Sequence, residues 1–368
     1  AKLNNNDVWV VKAGGSSKDE GLGIAVDSSG NAYATGFFEG TTTFGSTSLT
    51  SSGSEDIFIA KLSSSGSWQW TVKAGGSTSD MGEGIAVDSS GNAYVTGVFQ
   101  GTAVSFGSTT LSSGGSNNDG TFIGKMSSSG TWQWAVKASG SGMNSGIGIA
   151  VDPSGNAYVT GLFQSTTSFG STSLTSSGLN DIFIAKLSSS GSWQWAVKAG
   201  GSGWDSGTGI TVDSGGNSYV TGYFDGTATF GSTSLTSSGD YDAFIGKLTA
   251  ATGAWQWVSK AGGSSSDRGY GISIDSSGNA YVTGYFEGTG TFGSTSLVSS
   301  GDYDTFIAKL SSSGSWQWAV KAGGSNDDNA RGVTVDSNGN VYVAGYFDGT
   351  ATFGLKVFLA LIRRADFC

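Results

Sequence analysis

The sequence predicts an all-β chain in which one four-stranded unit is repeated six times. A stretch of 30 residues, 68–97 (WQWTVKAGGSTSDMGEGIAVDSSGNAYVTG), returns slightly altered at 132–161, 193–222, 255–284 and 316–345, and a shortened version begins at Trp9. The asparagines of its turn, Asn31, Asn92, Asn156, Asn217, Asn279 and Asn340, stand 61, 64, 61, 62 and 61 residues apart. The apolar pattern inside each unit has the period of a strand, and no stretch has that of a helix.

Each element of a unit follows from its residues, here in the second copy. Trp68, Trp70 and Val72 alternate with Gln69, Thr71 and Lys73, which predicts a strand with both tryptophans on one face. Ala74-Gly75-Gly76-Ser77 ends it, and a loop follows. Ile85-Ala86-Val87 is a short apolar strand, and Asp88-Ser89-Ser90-Gly91-Asn92 a tight turn with Gly and Asn available for positive φ. Tyr94-Val95-Thr96-Gly97-Val98-Phe99 is apolar on both faces, as a strand covered by sheets on either side requires. Residues 101–115, rich in Thr and Ser around Phe106 and Leu111, read as a further extended excursion. Thr121-Phe122-Ile123-Gly124-Lys125-Met126 is the next strand, and Ser127-Ser128-Ser129-Gly130 turns into the following copy. Four strands joined by hairpin turns and repeated six times predict a six-bladed β-propeller of four-stranded blades. A β-solenoid is the alternative, with shorter coils and no run of hairpins.

The units resemble the SBBP-type bacterial β-propeller repeat. The resemblance is carried by GIAVDSSGNAYVTG (84–97), by Phe-Gly followed by STSLTSSG (169–178), and by DIFIAKL (56–62 and 181–187), and it spans residues 1–354. It implies the propeller fold and a secreted or cell-surface setting. It implies no catalytic residues, because the family has no shared catalytic motif.

Both ends stop inside a unit. Ala1-Lys2-Leu3 matches the end of a third strand, and Trp9 to Gly15 matches Trp70 to Gly76. After Phe353-Gly354 the STSLTSSG segment is missing, and residues 355–368 contain no Gly, Ser or Thr. Within that divergent tail, Val357-Phe358-Leu359-Ala360-Leu361 has the hydrophobic order of Ile57-Phe58-Ile59-Ala60-Lys61. The expectation is that the tail supplies the last blade's third strand and Trp9 to Gly15 its fourth, so that the termini join in one sheet and close the ring. A foreign or out-of-frame tail is the alternative.

Composition narrows the function. The net charge is −10 and there is no basic stripe, so nucleic acid is not an expected partner. The longest apolar run, residues 357–362, is too short to span a bilayer, so membrane insertion is not expected. No signal peptide is visible, and a start at Ala1 suits a processed or trimmed product. The single cysteine, Cys368, excludes an intrachain disulfide. With no histidine there is no Ser-His-Asp triad and no imidazole metal site. A carboxylate pair could still hydrolyse glycosides. Ser63-Ser64-Ser65-Gly66-Ser67-Trp68 is similar to the Asp-box turn of some propeller sialidases, but it lacks the Asp and one spacing residue. That activity is therefore not carried over.

The repeated tryptophans read as packing between stacked sheets rather than as sugar-stacking platforms. Asp27, Asp88, Asp152, Asp213, Asp275 and Asp336 read as caps of their own turns, as do Asp56, Asp181, Asp242 and Asp304 before the third strands. A Ca²⁺ cage would need a denser set of carboxylates, so Ca²⁺ is possible but not favoured, and no cofactor is expected. The informative residues are those that vary inside the fixed frame, between Gly-Gly and Gly-Ile. Among them Met81, Glu83, Trp204, Asp205, Arg268, Tyr270 and Arg331 are the candidate contact residues, on loops expected to ring one end of a central channel. The expected protein is a non-enzymatic extracellular or cell-surface binding, adhesion or structural scaffold, with a protein or glycan as partner. The alternatives are a multivalent lectin with near-identical sites, and a secreted carbohydrate-active enzyme.

Overall fold

Short apolar stretches rich in Val, Ile, Tyr, Phe and Thr, cut by Gly-containing turns, leave the chain little but strands to form. The structure, a computed structural model, describes residues 9–114, 119–353 and 358–363. Among them every regular element is a β-strand. Residues 1–3 and Cys368 lie outside the described residues. The chain divides into two compact units, one comprising Ala1–Ala157, Thr167–Ser171 and Leu187–Ser192, the other Tyr158–Thr166, Thr172–Lys186 and Trp193–Cys368.

In the first unit, the first repeat forms an antiparallel sheet in the order Asp19–Val26, Ala32–Phe44, Thr47–Leu62, Trp68–Ala74. The second repeats it with Met81–Val87, Ala93–Gln100, Asp119–Met126 and Trp132–Gly140. In the second unit the same order holds for Ser206–Val212, Ser218–Phe224, Asp242–Leu248 and Trp255–Gly263, then for Arg268–Ile274, Ala280–Phe292, Thr295–Leu310 and Trp316–Gly324. These repeats thus have four strands each, whereas among the described residues the last repeat's sheet has three, Asp328–Val335, Val341–Phe347 and Phe358–Arg363.

Adjacent repeats pack face to face. Tyr33, Ile57 and Ile59 of the first repeat form one buried cluster with Ile85, Val95, Phe99, Phe122 and Met126 of the second. Tyr219 and Ile245 of the fourth join Ile272, Val282, Phe286 and Phe306 of the fifth in the same way. The second strands Ala93–Gln100 and Ser218–Phe224 are buried on both faces, as their sequence predicts, whereas Val341–Phe347 in the last repeat is buried on one.

The tryptophans of the fourth strand do not share a face. The register shifts between Lys61 and Leu62, so Trp70 pairs with Lys61 and Trp68 with Leu62, leaving Gln69 as the extra residue. This β-bulge turns Trp68 to one side of the sheet and Trp70 to the other. Trp68 stands edge-on to Phe44, 5.3 Å between centroids, whereas Trp70 stands edge-on to Tyr33 at 6.0 Å. The Trp70 indole Nε1 also donates to the Ser128 carbonyl in the next repeat's turn (3.0 Å). Trp134 donates likewise to Ser189 and Trp257 to Ser312, each at 3.1 Å. The tryptophans are thus packing residues, as expected, but they serve two interfaces.

The Thr/Ser-rich excursion is a hairpin. It extends the second and third strands directly in the first and fifth repeats, and its Phe-containing arm pairs with the end of a preceding fourth strand, as Thr167–Phe169 does with Ala138–Gly140. Ala13–Gly15 pairs with Thr42–Phe44 in the same manner, and Trp9 donates to the Ser64 carbonyl at 3.0 Å. The N-terminal segment thus meets the first repeat as a preceding fourth strand would.

The tail departs from expectation in direction. Phe358–Arg363 lies beside the second strand Val341–Phe347, in the place of a third strand, but it runs parallel, pairing Tyr342 with Phe358 and Phe347 with Arg363. Third strands elsewhere are antiparallel because the hairpin reverses the chain. In the last repeat the STSLTSSG arm of that hairpin is missing from the sequence.

Candidate functional site

The varying residues were expected on loops, yet most of them open the first strand of each sheet. Met81 begins Met81–Val87 and Arg268 begins Arg268–Ile274. Two roles separate within this segment.

The acidic position before the strand is a structural lock. Oδ2 of Asp80, Asp205 and Asp267 accepts the N–H of Gly76, Gly201 and Gly263 at 2.7–2.8 Å. The other oxygen accepts the N–H of Gln100, Asp225 and Glu287. Burial pushes the carboxyl of each up to about 7, and the nearby carboxylates of Asp56, Asp181 and Asp242 add to the shift. Asp205 was grouped with the contact residues; it is fully buried and holds a turn instead. In the third repeat Asn144 takes this place, donating to the Asp119 carbonyl at 2.9 Å.

Three residues further on, the first strand is bulged. The register shifts between Gly21 and Gly23, Gly82 and Gly84, Gly207 and Gly209, Gly269 and Gly271, and Ala330 and Gly332. The extra residues are Leu22, Glu83, Thr208, Tyr270 and Arg331, which pair with nothing across the ladder. The glycines beside them allow close approach: a Cβ on Gly82 would overlap Oγ1 of Thr35, and one on Gly84 would lie 2.6 Å from the Ile147 carbonyl oxygen. The frame is fixed by backbone contact while the bulged side chain is free to vary.

In the first unit, Glu83 accepts a hydrogen bond from Ser145 at 2.8 Å, and burial pushes its carboxyl up to about 7. Met81 is half-buried. In the second unit, Arg268, Tyr270 and Arg331 come together with four tyrosines that sequence reasoning missed. The Arg268 guanidinium carbon lies 4.4 Å from the ring centre of Tyr223 and 4.3 Å from that of Tyr241. Tyr270 is 5.8 Å from Tyr285, which is 4.7 Å from Tyr303, and the Arg331 guanidinium covers Tyr270 at 4.2 Å. Burial pushes the Tyr285 hydroxyl up to about 12. Trp204 is 42 % exposed and bridges Asn180 through its backbone.

The missed tyrosines had a signal in the sequence. Tyr223 and Tyr285 occupy the second-strand position held by Phe37, Val98 and Leu162 in the first three repeats, and Tyr241 and Tyr303 the third-strand position held by Glu55, Asp119 and Asn180. Aromatic residues at both positions occur only in the fourth and fifth repeats.

The turn aspartates are engaged locally. Asp27 accepts the backbone N–H of Ser29 and Asn31 at 2.9 Å and the Asn31 side chain at 2.8 Å, and Asp88, Asp152 and Asp275 do the same in their turns. A groove of about 500 Å³ lies between two such turns, lined by Asp213, Lys247 and Asp275. It is at the end of the strand Arg268–Ile274 away from Arg268, about 20 Å along it.

The arrangement places partly exposed guanidinium groups among tyrosine rings. Comparison with known proteins agrees with the repeat architecture. The chain is 26 % identical over 450 residues to the uncharacterized WD repeat-containing protein L264 of Acanthamoeba polyphaga mimivirus, an alignment that covers 95 % of this chain and 32 % of that protein. This chain thus spans about a third of that relative's length. Among solved structures, BamB from Moraxella catarrhalis aligns over 89 % of this chain and 82 % of its own, with a TM-score of 0.43 and 14 % identity. A protein of unknown function from Bacteroides caccae aligns over 72 % of this chain and 89 % of its own, with a TM-score of 0.28 and 10 % identity. The SBBP family, described as a β-propeller repeat, matches residues 8–36, 69–98, 138–162, 256–285 and 317–349. The SBBP β-propeller repeat thus matches five times across the chain, from the first repeat to the last.

Proposed function

We propose that this chain is a non-catalytic binding scaffold that works outside the cell or at its surface, with the Arg268–Tyr270–Arg331 cluster as its contact face. One observation carries the reading: within nearly identical repeats, large aromatic and basic side chains collect at positions the fold does not require to be either. Repeats with Val98 and Asp119, or Leu162 and Asn180, build the same strands. Tyr and Arg are the residue types that dominate contact surfaces, because they bring large area with few rotamers to freeze. The test is to change Arg268, Tyr270 and Arg331 to Ser, to verify an unaltered melt, and to compare partners captured from the native source. Loss of a parental partner is expected; a folded triple variant that keeps every one places the contact face elsewhere.

The scaffold we propose is a closed ring of six blades. Ile24 and Val26 are 73 % and 63 % exposed, whereas Ile85, which matches Ile24, is 8 % exposed beneath its neighbouring repeat. Tyr342 in the last repeat is exposed where Tyr33, Tyr94 and Tyr219 are buried. Each end of the repeat array thus carries a face of the kind that neighbouring repeats cover, and closure would cover both.

A multivalent lectin is the second reading. It is favoured by the groove between turns, since Asp213, Asn217, Tyr219 and Lys247 have counterparts in Asp27, Asn31, Tyr33 and Lys61.

A further inference from the structure

Four junctions between successive repeats each bury two carboxyl groups. The first belongs to a third strand: Asp56, Asp181, Asp242 or Asp304. The second is the locking aspartate of the next repeat: Asp80, Asp205, Asp267 or Asp328. Oδ2 of each first aspartate meets a lysine, Lys73, Lys198, Lys260 or Lys321, at 2.6–3.2 Å, while its Oδ1 is buried with no hydrogen-bond partner. That orphan oxygen borders the same space as the second carboxyl. A Cβ on Gly262 would lie 2.5 Å from Oδ1 of Asp242 and 2.9 Å from Oδ2 of Asp267, and one on Gly323 would meet Asp304 and Asp328 at the same two distances. A fifth junction shows that these residues go together. Between the second and third repeats, Gly120 stands in the column of Asp56, Asn144 in that of Asp80 and Ser139 in that of Gly75. Both carboxyls and the glycine between them are replaced at once.

Two buried carboxylates beside one ammonium leave a negative charge without a counterion. Asp80, Asp205, Asp267 and Asp328 are in none of the ion pairs found among the described residues. The other charged groups facing them are carboxylates: Asp225 beside Asp205, Glu287 beside Asp267 and Asp327 beside Asp328. Arg268, next in the chain to Asp267, is turned to the rings of Tyr223 and Tyr241. An orphan acceptor and an excess negative charge have one common remedy, a proton. A metal ion fits less well, because the ammonium already on the first carboxylate repels it.

We infer that each of these junctions is a shared-proton lock: the second aspartate carries a proton and donates it to the orphan Oδ1 of the first, joining adjoining repeats below neutrality and pushing them apart above it. Asp267 can do this while its oxygens still accept the N–H groups of Gly263 and Glu287, since each oxygen has more than one lone pair. Loss of the proton leaves two carboxylates around one space, where like charges resist ionising together. Burial, which pushes the carboxyls of Asp80, Asp205 and Asp267 up to about 7 and that of Asp328 in the same direction, puts the release of the proton near neutrality.

The test follows protonated carboxyls of the full chain by infrared difference spectroscopy, with the aspartate carboxyl carbons isotopically labelled. Ordinary aspartates, with pKa values of about 4, are ionised by about pH 6. A labelled protonated-carboxyl band that persists there and vanishes by about pH 9 is expected. Asp242→Asn keeps an acceptor for Lys260 and puts an amide N–H in place of the orphan oxygen, supplying the donor that the proton supplies in the parent. It should remove about a quarter of the band, one junction of the set, and flatten the fall of the melting temperature across neutrality. Asp181→Asn repeats the measurement at another junction, which guards against a folding defect in the first variant. A parent with no labelled protonated carboxyl at about pH 6 overturns the inference. So does a folded variant that keeps the whole band, since burial of the locking aspartate alone then holds the proton.

Discussion

Trp68 and Trp70, two residues apart on one strand, stand on opposite faces of their sheet because Gln69 is a bulge. One ring therefore packs within its own repeat against Phe44, and the other joins that repeat to the next through Ser128. Second-position tryptophans are the connectors of the array.

Trp195 is such a connector: it is 9 % exposed, stands edge-on to Tyr158 and donates to the Ala250 carbonyl at 3.1 Å. Trp195→Ala is expected to cost about 3–5 kcal/mol in chemical denaturation, from lost packing and the cavity left behind. Trp195→Phe keeps a ring and removes the donor, and should cost less than the Ala variant. Equal losses in the two variants would show that the ring contributes nothing.

Closure is tested at Ile24. If the last repeat covers the first, Ile24→Lys places an unpaired charge in an interface and should cost about 3 kcal/mol or more. On a surface left open the same change stays within about 0.5 kcal/mol. Deleting residues 1–15 should likewise lower the cooperative melt of the whole chain, and an unchanged melt in both variants sinks the ring.

The locking aspartates predict a pH dependence. The carboxyls of Asp80, Asp205 and Asp267 titrate near 7 in the folded chain and near 3.8 in the unfolded one. Between those values the folded state holds protons that the unfolded state has released, so their contribution falls as pH rises through this window and is flat above it. The melting temperature should therefore drop between pH 5 and pH 8. Asp267→Asn, the residue type that Asn144 supplies naturally, should reduce that slope while lowering stability at pH 5, because the amide cannot accept both backbone N–H groups. A slope identical to the parent's would refute the assignment.

Gly82 and Glu83 should respond in opposite ways. Gly82→Ala forces a methyl into Oγ1 of Thr35 and is expected to cost about 1–3 kcal/mol or more. Glu83→Gln keeps the shape and removes a carboxyl whose charged form is held poorly, so stability at pH 8 should be unchanged or higher. A Glu83→Gln variant that melts lower than Gly82→Ala would reverse the roles given to these two positions.

Much of this architecture is legible in the residues. Strand period, Gly-Asn turns and the recurring Asp27-type caps are local, and the structure places them as their sequence predicts. The parts that are not legible depend on pairing. Alternation counts residues along one strand, so it assigned Trp68 and Trp70 to one face; the bulge at Gln69 becomes visible only when Lys61 and Leu62 are set opposite. Asp205 looked exposed because its partners, Gly201 and the backbone of Asp225, lie on either side of a strand hairpin. The Arg268 cluster gathers Tyr223, Tyr270 and Tyr285 from three strands and Tyr241 from the residue before a fourth, and only column-by-column comparison of the copies hints at it. The tail's hydrophobic order gave its neighbour correctly and could not give its direction.

The bulge that carries Leu22, Glu83, Thr208, Tyr270 and Arg331 has a consequence for how such a protein can change. Duplication normally burdens each copy with the constraints of the others, since a residue good for one interface must suit its homologue. A side chain that answers to no ladder escapes that burden. Mutation at these few sites can diversify recognition while the copies stay nearly uniform. Innovation and conformity are thus assigned to different residues of the same strand, and a new specificity can emerge by point changes with no new fold.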